Sequence, residues 1–160
     1  LGWPIPGRIL EIGINWFGNP QNPADQFRKI PMEALEPLFE IPGINWFSLQ
    51  KETSNWKRKL PKYTNLEKIR STPLEHAAGL IQELDLVITS DTAIAHLAGA
   101  LAKPVWILLH HAPDWRWLIN GSTSKWYPTA LLFRQSKPGD WTPVILEVQK
   151  HLTLFLDNQA

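Results

Sequence analysis

Short runs of apolar, β-favouring residues recur along this chain, separated by helical patterns or by loops rich in Gly, Pro and Asn. Consecutive strands joined through a helix return parallel. The alternation therefore predicts a parallel sheet with crossover helices. The runs lie at residues 12–17, 45–49, 64–69, 86–89, 105–109 and 130–133. The run at 86–89 is apolar throughout, as a strand buried on both faces should be. Helices are predicted from Pro31 to about residue 39, from Thr72 to 84 and from Ser90 or Asp91 to 101. Thr72, Pro73 and Glu75 read as cap, first position and third position of the second of these. A short helix is expected at 114–118, and a last one at 141–155 with apolar residues at 141, 144, 145, 148, 152 and 155. Residues 50–63 read as irregular or weakly helical.

Six such strands with right-handed crossovers give a doubly wound, Rossmann-like α/β fold, in the order 3-2-1-4-5-6. The order reverses between the first and fourth strands. Ligands bind there, beyond the carboxyl ends of the strands. The loop after the first strand and the helix start after the fourth should line one crevice.

Composition narrows the class. The 160 residues suit one domain spanning 1–160, with 44% apolar and 19% charged residues. Nine Trp supply large buried area, and core filling is their simplest role. The net charge of +1 selects no polyanion, so no nucleic-acid partner is expected. The absence of Cys excludes disulfides and thiolate metal sites and fits the cytoplasm. No apolar run approaches the ~20 residues of a membrane helix, and the opening residues lack a signal-peptide pattern. The chain begins without Met and reads as part of a longer one.

The segment Ser90-Asp91-Thr92-Ala93-Ile94-Ala95-His96 carries the most chemistry. A strand ends and a helix begins at once. Backbone N–H groups and the positive end of the helix dipole then face the crevice. The Thr92 hydroxyl can bond a phosphate oxygen, and His96 is four residues on, placing it on the same helix face. The plainer reading makes Asp91 a simple N-cap and His96 a core-edge histidine. The loop at 18–30 is longer than a connection needs and ends in Arg28-Lys29 at a predicted helix start. A cation is unfavourable there without an anion, so Arg28 reads as an exposed phosphate clamp. A solvated basic pair is the alternative.

Residues 51–70 hold seven basic and two acidic residues, a solvated loop or a patch for a phosphorylated partner. His110 and His111 end the fifth strand, but spacing places no third metal ligand. No G-x-G-x-x-G follows the first strand, and P-loop, Asp-x-Asp and G-x-S-x-G patterns are absent.

The run LDLVITSDTAIAHLAGALAKPVWILL resembles the donor-binding segment of glycosyltransferase family 9, the heptosyltransferases. The ordered set IGINWFGNPQNPADQFRKIPMEALEPLF, INWFSLQK, APDWRWL, WYPTALLFRQ and PGDW resembles the family 9-like domain found after tetratricopeptide repeats in bacterial proteins. The resemblance implies the C-terminal, donor-binding half of a GT-B fold. Its partners would be a nucleotide sugar, an N-terminal GT-B domain bearing the acceptor base, and tetratricopeptide repeats in the same chain. No metal or other cofactor is implied. Arg28 takes the place of a basic residue on the donor diphosphate. Ser90, Asp91, Thr92 and His96 match the segment lining pyrophosphate and sugar. Gln50 and Lys51 fall where nucleoside contacts occur. This chain departs in having Ala93 where Gly is frequent, and His110-His111 where Pro and an aromatic are usual. A non-catalytic interaction module retaining the fold is the alternative function.

Overall fold

The computed structural model describes residues 7–50, 70–71 and 76–159. Strands β1 (Leu10–Asn15), β2 (Ile44–Ser48), β3 (Arg70–Ser71), β4 (Leu86–Ser90), β5 (Val105–Leu109) and β6 (Ala130–Arg134) form one sheet. Its order is β3-β2-β1-β4-β5-β6, and neighbouring strands pair in parallel. This is the doubly wound order that the alternation of runs predicts. The third strand expected at 64–69 lies outside the described residues, as do Thr72, Pro73 and Glu75.

Helices α1 (Asp25–Arg28), α2 (Met32–Phe39), α3 (Ala77–Glu83), α4 (Ala93–Ala100) and α5 (Thr142–Gln159) complete the domain, with a 3-10 turn at Trp115–Trp117. Successive strand side chains point to opposite faces, and each face has its own core. Ile12, Ile14, Leu86, Ile88, Trp106 and Leu108 pack with α2 and α5. Val87, Val105, Ile107 and Leu109 pack with α3 and α4. Gly13 of β1 faces the second core, where Leu84 and Leu49 occupy the space a side chain would take. None of the helices is long and apolar enough to cross a membrane, among the described residues.

Several boundaries differ from the sequence reading: β1 runs over Leu10–Asn15 rather than 12–17, and α5 over Thr142–Gln159 rather than 141–155. The loop after β1 contains α1, a single helical turn. The cap of α4 is Thr92 rather than Ser90 or Asp91, because Ser90 still pairs with Leu108 in the sheet. Beyond β5 the crossover returns through 117–121, held by the Arg134 guanidinium. It donates to the carbonyls of Gly121 at 2.8 Å and Leu118 at 3.0 Å, and to that of Trp117.

Gly99 sits inside α4 against Tyr127. A Cβ there would lie 2.6 and 2.8 Å from two carbons of the Tyr127 ring. In an open helix Gly→Ala stabilises by about 0.5–1 kcal/mol. Here we expect Gly99→Ala to destabilise by about 1–3 kcal/mol through overpacking. Urea unfolding of the two proteins decides the sign.

Candidate functional site

The crevice opens where the strand order reverses, between the ends of β1 and β4. It has a volume of about 640 Å³ and is lined by Asn15, Phe17, Gly18, Gln50, Asp91, Thr92 and Ala93, with the loop carrying Asp25 and Arg28. Parallel strands leave their last carbonyls and the next helix start on one edge, so polar chemistry collects there.

Asn15, the last residue of β1, is buried. Its amide donates to the Thr92 hydroxyl at 2.9 Å and lies 3.3 Å from the Thr89 hydroxyl. Thr92 has extended backbone, and its side chain makes no capping bond to α4. The hydroxyl is therefore aimed by Asn15 instead of folding over its own helix. The first turn of α4 contains no acidic residue, and Ala93 and Ile94 line the crevice. The helix start retains its positive end toward the space.

Gln50 spans the gap between β1 and β2. Its carbonyl oxygen accepts from the N–H groups of Trp16 at 3.1 Å and Phe17 at 3.2 Å, and its amide donates to the Phe17 carbonyl at 3.0 Å. It lines the crevice as a clamp on the β1 backbone. Asp25 was not singled out by the sequence reading. Its buried carboxylate accepts from Gly18 N–H at 2.7 Å and fixes the mouth of the loop. Asn19 and Asn22 accept from the backbone two residues on, both at 3.0 Å, so the loop is organised by its own side chains. Those Asx turns were the legible signal; the buried carboxylate was not.

Arg28 needs correction. It ends the single turn of α1 a few residues before α2 begins, so it stands at a helix end, where a cation is favoured, as well as ahead of a helix start. Its side chain is only 23% exposed, and its Nε lies 3.9 Å from Asp91 Oδ2. The anion it meets in this chain is Asp91. Both atoms are buried without a hydrogen-bond partner.

The remaining candidates separate. Ser90 is fully buried in β4, behind the crevice. His96 turns away: its Nδ1 is 2.8 Å from the Tyr127 hydroxyl, and its ring stacks on Trp117 with centroids 5.4 Å apart. The core-edge reading describes its placement. Lys51 lies outside the described residues, as does nearly all of the basic stretch at 51–70. Among the described residues, His110 and His111 gain no third metal-type neighbour.

His110 stands at the end of β5, with its ring stacked on Phe27 at 6.4 Å. Burial holds its pKa below the ordinary histidine value, helped by the Arg28 cation and by His111, while Asp91 and a backbone hydrogen bond at Ala112 oppose. The unfolded chain takes up this proton at a higher pH than the fold does. Stability from this group is therefore lost as pH falls below the ordinary histidine range. We expect His110→Asn to flatten the decline in stability between about pH 7 and about pH 5, read by denaturant unfolding at each pH. An unchanged slope would show that His110 does not contribute.

Residues 53–112 match the family model for glycosyltransferase family 9 (heptosyltransferase). Over 157 residues the chain is 28% identical to Protein FlbA of Caulobacter vibrioides, covering 91% of this chain and 25% of that protein. In fold it resembles the E. coli heptosyltransferase WaaC with ADP-2-deoxy-2-fluoro heptose, with a TM-score of 0.61 and 16% identity. That likeness covers 95% of this chain and 45% of WaaC. The chain thus spans a quarter of the curated relative and under half of the structural one. Part of the sequence is similar to glycosyltransferase family 9, and the fold is similar to one α/β half of the heptosyltransferase WaaC.

Proposed function

We propose that this domain binds the nucleotide-diphosphate-sugar donor of a metal-independent glycosyltransferase. The observation that carries the reading is the start of α4. An uncapped helix N-terminus and an Asn15-aimed Thr92 hydroxyl open together into the crevice at the strand switch point. That arrangement suits a diphosphate, which needs N–H donors and a hydroxyl without a counter-ion of its own. Negative charge grows on the leaving diphosphate as the glycosidic bond breaks. The dipole of α4 and the Thr92 hydroxyl would stabilise that charge. Arg28 adds to this, tempered by Asp91 beside it. The acceptor hydroxyl and the base that takes its proton would come from another domain, with tetratricopeptide repeats a further part of the longer protein.

A second reading has its own observation. Trp115 and Trp126 are 68% and 58% exposed and meet edge to face at 6.3 Å, a surface suited to a protein partner. It describes a non-catalytic interaction module.

Calorimetry with UDP, ADP, GDP and their sugars, with and without EDTA, separates the two. We expect heat with at least one nucleotide, unaffected by EDTA. Thr92→Val should weaken that binding by about 1 kcal/mol, since the backbone donors remain. Asn15→Ala should weaken it comparably, by freeing the hydroxyl. Arg28→Ala is a poorer probe, because it also strands the buried Asp91 carboxylate. No heat with any nucleotide would favour the interaction module, and a strict Mg²⁺ requirement would overturn the metal-independent mechanism.

A further inference from the structure

The crossover between β5 and β6 gathers large apolar side chains at the surface. Besides Trp115 and Trp126, Leu118 is 47% exposed and Ile119 92% exposed. A single exposed apolar residue needs no explanation, but a cluster of large ones marks a contact surface for a protein or a membrane.

The cluster is held firmly. The Arg134 guanidinium donates to the carbonyls of Gly121 at 2.8 Å, Leu118 at 3.0 Å and Asn120 at 3.2 Å, and to that of Trp117. One side chain therefore gathers the backbone of the turn that carries Leu118 and Ile119. Leu118 has φ 60° and ψ −171°, a region that glycine favours and that leucine enters only under strain. Trp115 and Trp126 brace each other edge to face, and the Ser124 hydroxyl accepts from the Trp126 N–H at 3.1 Å. The fold thus tolerates strain to hold apolar side chains in water.

Charge decides which surface fits. Between residues 111 and 129 Asp114 is the only acidic residue, and its carboxylate is taken by Arg116 at 2.8 Å. The Arg116 guanidinium lies over the Trp115 ring, 5.0 Å from its centroid. Lys125 is exposed beside Trp126 and has no ion-pair partner among the described residues. Indole rings, aliphatic side chains and cations without a free carboxylate suit an anionic headgroup layer. Trp fits that boundary because its ring body is apolar and its indole N–H polar. A protein partner would take such anchors into preformed pockets. Ile119 projects almost fully into solvent, and a bilayer receives a projecting group without needing a complementary shape.

We propose that residues 115–126 form a membrane-contact surface that seats this domain on an anionic bilayer. Trp115, Leu118, Ile119 and Trp126 enter the headgroup region, and Arg116 and Lys125 meet its phosphates. The contact needs no spanning helix and does not depend on donor binding in the crevice.

Sedimentation with sucrose-loaded vesicles tests it, one set of phosphatidylcholine alone and one of equal parts phosphatidylcholine and phosphatidylglycerol. We expect the protein to sediment with the mixed vesicles, less with phosphatidylcholine alone, and less again as salt rises. Ile119→Asp should weaken binding to the mixed vesicles about tenfold, by removing an apolar contact and adding a like charge. Trp126→Ser, a second variant at an exposed position, should also weaken it about tenfold. Lys125→Ala should weaken it about fivefold, and only at low salt. Leu146→Asp, at an exposed position on α5, should leave binding within about twofold. No sedimentation with either vesicle would overturn the proposal. Equal sedimentation of wild type, Ile119→Asp and Trp126→Ser would overturn it too, and would assign the binding to charges elsewhere. A dimer in analytical ultracentrifugation that Ile119→Asp dissolves, without vesicle binding, would give the surface to a second copy instead.

Discussion

The burial of β4 on both faces is the constraint on which the rest of this domain depends. Leu86, Val87, Ile88, Thr89 and Ser90 are all 0–1% exposed. A strand in that position must be covered by helices above and below, and its neighbours must run parallel to it. β1 and β5 pair on its two sides, and the two cores form on opposite faces. Once β4 is central, the residue after it must leave the sheet at the reversal of strand order. Asp91 and Thr92 are those residues. The site is placed by packing before any of its polar groups acts.

Polar side chains then substitute for the backbone where the sheet stops. Gln50 continues the hydrogen bonding of β1 after the strand ends. Asn15 ties the end of β1 to Thr92 across the switch point. Asp25 pins Gly18, where a Cβ would lie 2.9 Å from its carboxylate. The bonds of Gln50 and Asn15 join segments 33–77 residues apart, and all of these bonds are at least partly buried, so their geometry is held more firmly than a surface bond would be. The same framework leaves Arg28 Nε and Asp91 Oδ2 3.9 Å apart, each buried without a hydrogen-bond partner.

The alternation of apolar runs was enough to give five of the strands, the strand order and the edge on which the crevice lies, while the run read as the third strand, 64–69, lies outside the described residues and β3 is Arg70–Ser71. Strand burial on both faces leaves a pattern that local residues carry by themselves, and β5 at Val105–Leu109 is legible residue for residue. Thr92 and Arg28 were legible as polar residues on the correct edge. Their roles were not. The sequence places Arg28 exposed before a helix, and it does precede α2, but it also closes the added turn α1, is only 23% exposed and lies beside Asp91. His96 shares a helix with Thr92. Yet Trp117 and Tyr127, more than 20 residues later, hold its ring, and it does not line the crevice.

What the sequence by itself determined is the periodic part: hydrophobic alternation, the helix start at Pro31, and the family likeness in the run through Ser90 to His96. Those features arise from interactions between residues close in the chain, or from burial that every member of a strand shares. Tertiary structure alone decided the pairings of buried polar groups: Asn15 with Thr92, Gln50 with the β1 backbone, and Arg28 beside Asp91. Each depends on bringing distant segments within about 3–4 Å and excluding water between them, and hydrogen-bond energy falls steeply beyond that range. A one-dimensional pattern carries the residue types but not those distances.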